Sequence, residues 1–224
     1  MTALTGLATA LDVRADNHWS GDPAGDIARA DELTNAAMTL QPDDSWVHWV
    51  KARLFASRQQ WRSALTEAEM AIADDRNNPR AYADAGLYKM QLGRSQDGLT
   101  DVETALRLDP HSNQAPEWQT RVCYLRAHLA QWEQAIEQCE KAVAAAPWDN
   151  PALGALAAAY ALTGHDKEAK ETAVKLGERD PNFMRSVRKS MEAHDDPTFK
   201  AELARIIVRL SAPLRCGCPI HSKL

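Results

Sequence analysis

The chain has 224 residues, of which 45% are hydrophobic and 25% are charged, and this composition is typical of folded rather than disordered proteins. Its net charge is −5 with acidic and basic residues interleaved, which argues against a phosphate-binding track for nucleic acid. The first ten residues lack the pattern of a signal peptide, and no apolar run approaches the ~20 residues of a membrane span. We therefore predict an intracellular, cytoplasmic protein.

Proline or arginine residues divide the chain into segments of nearly constant length. The spacings are 34, 34, 37 and 34 residues between Pro42, Arg76, Pro110, Pro147 and Pro181. Small residues recur at a fixed distance before each of these positions. They are Ala30, Ala64, Gly98, Ala135 and Ala169, with a second set at Ala37, Ala71, Ala105 and Ala142. A repeat of this length is typical of stacked helix pairs that bury their apolar faces against neighbouring units.

The first unit, residues 2–42, departs from the regular pattern. We expect its first helix from Thr2 to about Arg14, followed by a loop over residues 17–23. A second helix is predicted over residues 25–40, ending before Pro42.

The next three units, residues 45–76, 79–110 and 116–147, are the most regular. Each has two segments of helical period separated by a short turn. In unit 79–110 the turn contains Gly93, and the second helix stops at Asp109-Pro110. The three additional residues of the following unit are predicted to lie in the loop at residues 111–114.

Two cysteines of unit 116–147, Cys123 and Cys139, occupy repeat positions that are filled elsewhere by small or apolar residues. We therefore predict reduced thiols in the core rather than a disulfide framework.

The fifth unit, residues 150–181, carries a weaker version of the pattern. A capping helix is predicted at about 183–210 because apolar residues there share one helical face. The alternative for this helix is binding at a membrane surface. Residues 211–224 are predicted to form a flexible tail. The apolar residues of the cap are Phe199, Leu203, Ile206, Ile207 and Leu210.

Small residues at equivalent positions, an aromatic residue near the turn and a terminal Asp-Pro make these units resemble tetratricopeptide repeats. The resemblance covers most of the chain and is strongest in the three regular units. It implies an all-α fold, a right-handed α-solenoid of stacked antiparallel helix pairs. We predict one such domain over residues 1–210.

A second resemblance concerns the two ends of the repeat region. Residues 12–14, Trp19-Ser20, residues 28–33 and residues 195–199 are similar to the repeat region that follows the catalytic domain of bacterial class III adenylate cyclases. Some winged-helix regulators carry a similar region, and a bacterial source is implied. Because the chain contains neither a cyclase nor a winged-helix domain, no catalytic or DNA-binding residue is carried over.

The tetratricopeptide resemblance also implies where a partner binds, since that family builds its concave wall from the first helix of each unit. The basic and asparagine set that clamps a C-terminal carboxylate in some members is not matched, so an apolar or helical segment is the expected ligand. For Trp46 and Trp49 the alternative is ordinary packing, and at least one of the two is expected in the core. The implied groove residues are Trp46, Trp49, Arg53, Arg80, Leu87, Met90, Glu117, Tyr124 and His128.

No catalytic motif is found: the chain lacks a glycine-rich phosphate loop, a His-Glu-x-x-His helix and a nucleophile elbow. The acid pairs Asp43-Asp44, Asp74-Asp75 and Asp195-Asp196 lie at helix boundaries, where capping is the expected role. We predict that the protein is not an enzyme and has no cofactor.

The C-terminal tail holds two further patterns. Cys216, Cys218 and His221 are weak candidates for a soft-metal or redox site, although their spacing is not a standard zinc pattern. Ser222-Lys223-Leu224 matches the peroxisomal import tripeptide, which has meaning only in a eukaryote.

The favoured function is a non-catalytic scaffold or regulatory module that binds a peptide or protein segment, or that self-associates. The alternative is a detached sensory or effector region of an adenylate cyclase or transcriptional regulator. A weaker alternative is a metal- or redox-active tail on a passive scaffold.

Overall fold

The computed structural model describes residues 3–16, 19–182 and 185, and all regular structure among them is α-helical. The predicted all-α class is therefore confirmed. The helices are α1 (Ala3–Asp16), α2 (Pro23–Leu40), α3 (Ser45–Ser57), α4 (Trp61–Asp74), α5 (Pro79–Gln91), α6 (Ser95–Leu108), α7 (Ala115–His128), α8 (Trp132–Ala145), α9 (Asn150–Thr163) and α10 (Asp166–Arg179).

Helices pack as hairpins within two compact units, one formed by the described residues up to Leu125 and the other by those from Arg126 onward. In the first unit α1 packs on α2, α3 on α4 and α5 on α6, and the hairpins stack through α2 with α3 and α4 with α5. In the second unit α9 packs on both α8 and α10. Neighbouring hairpins thus cover each other's apolar faces, as the repeat pattern predicts.

Polar side chains begin several of the first helices at one fixed place in the repeat. The Asp44 carboxylate accepts hydrogen bonds from the backbone N–H groups of Trp46 and Val47, at 2.8 and 3.2 Å. Asn78 caps α5 and Asp149 caps α9 in the same way. These caps satisfy N–H groups that have no partner inside the helix, so the predicted capping role of Asp44 is confirmed.

The small residues of the repeat lie where two helices of a hairpin come closest. Every alanine of the two predicted sets has 2% of its surface exposed or less. Between α5 and α6 even a methyl group is excluded, because a Cβ on Gly98 would lie 2.5 Å from the carbonyl oxygen of Gly86. Side-chain volume at this position therefore sets the distance between the paired helices.

One residue in each of four hairpin turns has a left-handed backbone conformation. Gly93 and Gly164 have φ values of 76° and 84°, as the predicted glycine stop requires. Gln59 and Ala130 occupy the same repeat position with φ values of 58° and 53°. The backbone of the turn is therefore the same whether or not the sequence supplies a glycine.

A buried histidine joins the two helices of the second hairpin. His48 of α3 contacts the Glu67 carboxylate through Nδ1 and the Pro42 carbonyl through Nε2, both at 2.7 Å. Burial alone lowers the pKa of His48, but these two acceptors and the Asp74 carboxylate outweigh it, so the net shift of that pKa is upward. Both ring nitrogens have acceptors, which favours the protonated ring.

The remodelled first unit begins with α1 and α2, close to the predicted bounds. The Arg14 guanidinium forms an ion pair with the buried carboxylate of Asp26, across the α1–α2 connection. Trp19 in this connection is 72% exposed. The Arg14–Asp26 ion pair therefore joins the ends of the two helices, while Trp19 stays exposed.

One prediction is wrong: Cys123 and Cys139 are both disulfide-bonded cysteines, not reduced thiols. Both are fully buried, as expected for core positions, and an apolar environment suits a disulfide as well as a thiol. The capping helix at 183–210, the tail at 211–224, the Cys216, Cys218 and His221 set and the C-terminal tripeptide lie outside the described residues. The single domain over residues 1–210 stays a prediction.

Candidate binding face on the first helices of the hairpins

The first helices of the hairpins lie side by side in the unit formed by residues 1–125. Helix α3 contacts α1 and α5, and α5 is joined to α7 by a hydrogen bond between Asp84 and Arg121. Side chains four and seven residues apart share a helix face, so Arg80, Asp84 and Leu87 project on one side of α5. We call this surface the first-helix face. Its residues are Asp12, Trp46, Trp49, Arg53, Arg80, Asp84, Leu87, Met90, Glu117, Arg121 and Tyr124.

Charged side chains of alternating sign cross this face from one helix to the next. Arg53 Nε donates to Asp12 Oδ2 at 2.7 Å, and the Asp12 side chain is 1% exposed. Asp84 accepts a hydrogen bond from Arg121 Nη1 at 2.7 Å. Arg121 also donates through Nη2 to Glu117 at 2.6 Å. We call Asp12, Arg53, Asp84 and Arg121 the charge row.

The carboxylates of the charge row stabilise its two arginines in their charged forms. Burial disfavours the charged guanidinium of Arg53, but the carboxylates of Asp84 and Asp12 outweigh it and raise the pKa of Arg53. The pKa of Arg121 is raised in the same way, by Asp84 and Glu117 against the cost of burial. Burial, followed by the Asp84 charge, raises the pKa of Tyr88 well above its ordinary value. The neutral form of the Tyr88 phenol is therefore favoured.

An aromatic and cationic cluster lies next to the charge row. The rings of Trp46 and Trp49 are 4.6 Å apart between centroids. The Arg80 Cζ atom lies 5.1 Å from the Trp46 ring and 5.6 Å from the Trp49 ring, within cation–π range of both. Arg53 lies 5.5 Å from the Trp49 ring, and Trp49 Nε1 donates to Asp84 Oδ2 at 2.8 Å. Trp49 thus connects the cluster to the row.

The sequence matches no protein-family model and no curated protein, but solved structures share its fold. The structure of YrrB, described as a TPR protein with an unusual peptide-binding site, is 18% identical and has a TM-score of 0.58, covering 79% of this chain and 90% of YrrB. A structure of MamA is 16% identical with a TM-score of 0.60, covering 72% of this chain and 92% of MamA. PilF from Pseudomonas aeruginosa is 15% identical with a TM-score of 0.68, covering 94% of each chain.

The chain has a tetratricopeptide-repeat fold. At these identities the likeness concerns the fold alone, so the resemblance of the chain ends to cyclase and winged-helix regulators stays a prediction.

The residues predicted to line the groove of this tetratricopeptide fold differ in their burial and in their contacts with the rest of the chain. Trp49 is 3% exposed, which confirms that at least one of the tryptophan pair is core. Arg53 is bonded to Asp12. The half-buried members are Trp46, Arg80, Leu87, Met90 and Tyr124, whereas Glu117 is exposed. His128 falls in the second compact unit. Their part in binding stays a prediction.

Sequence reasoning missed three members of the face, Asp12, Asp84 and Arg121. A signal was present for two of them, because Asp84 and Arg121 occupy the same repeat position and each lies one helical turn after a predicted groove residue, Arg80 or Glu117. Asp12 carried no such signal, since it belongs to the irregular first unit.

Two further findings concern chemistry on the tetratricopeptide fold. In the described part of the chain, no group of three or more His, Cys, Asp or Glu side chains is arranged to hold a metal ion. Among the helices given above, none is long and apolar enough to cross a membrane.

Proposed function

We propose that this chain is a non-catalytic protein-interaction module and that its first-helix face binds a peptide or a segment of another protein. The observation that carries the proposal is the half-buried state of Trp46, Leu87, Met90 and Tyr124 beside the charge row. Apolar and aromatic side chains that stay partly accessible on a rigid wall are typical of binding surfaces.

The internal contacts of the face support the same conclusion. Because the charge row fixes Arg53, Asp84 and Arg121 in ion pairs, a ligand meets side chains that are already ordered. A preordered surface loses less conformational entropy on binding. The fold is shared with YrrB, whose structure is described as having a peptide-binding site.

Peptide selection followed by paired substitutions tests the proposal. Peptides are selected from a random dodecapeptide library on the full chain, and their affinity is measured by fluorescence anisotropy. We expect Met90→Glu to weaken binding by about tenfold or more, because a charge is placed in an apolar contact. The matched control is Met70→Glu, since Met70 is 45% exposed on the second helix α4, and it should leave affinity within about twofold.

Thermal melting of both variants checks that the fold is retained, and Met90→Gln gives a milder change at the same position. The proposal is wrong if no peptide is enriched, or if the Met70 and Met90 variants bind equally well.

A further inference from the structure

We propose that Arg80 anchors an acidic side chain, aspartate or glutamate, of the segment bound on the first-helix face. This inference rests on the proposed function and names the chemistry of the partner.

Arg80 differs from the other cations of the face because it has no carboxylate partner among the described residues. Arg53 is paired with Asp12, and Arg121 is paired with both Asp84 and Glu117. Within the described part of the chain, the Arg80 side chain contacts the rings of Trp46 and Trp49 but forms no ion pair or hydrogen bond. Its guanidinium N–H groups are therefore available to an acceptor from outside.

Asp84 lies four residues after Arg80 on α5, a spacing that favours an ion pair. The carboxylate of Asp84 is already committed, since Trp49 Nε1 donates to one oxygen and Arg121 to the other, at 2.8 and 2.7 Å. Both oxygens of Asp84 thus have hydrogen-bond donors, and the Arg80 guanidinium is left without a carboxylate partner among the described residues.

A second donor in the same cluster is also unmatched. The indole Nε1–H of Trp46 is buried and has no acceptor among the described residues, and the ring of Trp46 is the one nearest to the Arg80 cation. A buried donor without an acceptor is costly. The cluster therefore holds two donor side chains, Arg80 and Trp46, without acceptors, while both oxygens of Asp84 are already bonded.

The two tryptophan rings prepare Arg80 for such a ligand. A guanidinium held near aromatic rings by cation–π attraction can still donate through its N–H groups. Arginine forms paired hydrogen bonds with a carboxylate, and a half-buried site screens the charges less than open water does. Leu87, about two turns further along α5, offers an apolar contact to a neighbouring residue of the same segment.

The test uses peptides selected on the full chain from the random dodecapeptide library. We expect aspartate or glutamate to be enriched at one peptide position. For one enriched peptide, Arg80→Gln should weaken binding by about tenfold or more, because a charge-assisted hydrogen bond is lost. The peptide's own acid-to-amide change should cost the same in the wild-type chain and little in the Arg80→Gln chain.

The matched control is Arg94→Gln, because Arg94 is exposed and paired with Asp97 at the start of α6; it should not change affinity. Arg80→Lys keeps the charge but not the planar fork, and should bind several times more weakly than the wild type even if Arg80→Gln melts early.

The possible failures are distinct. Enriched peptides without an acid, or an equal effect of the peptide change in both chains, would overturn the Arg80 anchor and leave the proposed function standing. Failure to enrich any peptide would overturn both.

Discussion

Trp46 and Trp49 lie one turn apart on α3 and differ in what their indole nitrogens contact. Trp49 donates to the buried Asp84 carboxylate at 2.8 Å, whereas the Nε1 of Trp46 has no acceptor in the described part of the chain. Both rings contribute to the same apolar cluster. The two residues therefore differ in hydrogen bonding as well as in burial.

Replacing each tryptophan by phenylalanine measures this difference. Trp49→Phe should lower the free energy of unfolding by about 1–3 kcal/mol more than Trp46→Phe, because it leaves a buried charged acceptor without its donor. The measurement is urea unfolding of both variants at one pH, compared with the wild type. Equal losses would mean that the bond to Asp84 contributes nothing.

At this scale the sequence predicted that one member of the tryptophan pair is core but not which one. The deciding contact joins Trp49 to Asp84, 35 residues further along the chain, and no local pattern encodes such a pairing. The roles of Asp12, Asp84 and Arg121 were missed for the same reason, since charged residues are normally expected on the solvent side of a helix.

The helices themselves were largely predictable, because small residues, caps and turn glycines recur at one spacing. The turn after α3 shows where the local signal ends. Gln59 has a left-handed backbone with φ of 58°, and Gly93 has φ of 76° in the equivalent turn after α5. Gly93 makes its turn predictable from the sequence, because glycine adopts this conformation readily, whereas Gln59 does not. The fold imposes the same conformation on both residues.

This equivalence predicts opposite effects for two exchanges. Gln59→Gly should raise the free energy of unfolding by about 0.5–1 kcal/mol, because relief of left-handed strain exceeds the larger entropy that glycine has in the unfolded chain. Gly93→Ala should lower it by about 1 kcal/mol or more. Chemical denaturation with an unchanged m-value would measure both effects. A destabilised Gln59→Gly variant would show that the glutamine is not strained.

Across residues 3–125 the charge row connects α1, α3, α5 and α7, which belong to different hairpins. Asp84 is the member with contacts on both sides, since its charge acts on Arg53 and its oxygens bind Arg121 and Trp49. A substitution of Asp84 should therefore lower the local stability of neighbouring hairpins as well as that of its own.

Asp84→Asn should lower the free energy of unfolding by about 2–3 kcal/mol, since it weakens buried charge-assisted bonds. Amide hydrogen exchange should become faster in α3 and α7 as well as in α5. The control is Asp97→Asn, whose partner Arg94 is exposed, and it should cost less than about 1 kcal/mol. Faster exchange confined to α5 would contradict the coupling.

At the scale of the chain, the repeat length was enough to predict stacked helix pairs. The binding face was predicted as a set of positions rather than as a network, because repeat spacing aligns equivalent residues but does not say which of them pair across hairpins. The disulfide-bonded state of Cys123 and Cys139 was missed because a disulfide and two thiols fit the same buried, small positions.

The alternation of sign in the charge row also bears on how such a chain can change during evolution. If hairpin α3–α4 exchanged places with hairpin α5–α6, Asp84 would lie beside Asp12 and Arg53 beside Arg121, and like charges would be brought together where they are least screened. Although these hairpins share one backbone plan, they are not interchangeable. An exchange of these two hairpins would therefore need compensating changes of charge at Arg53 or Asp84.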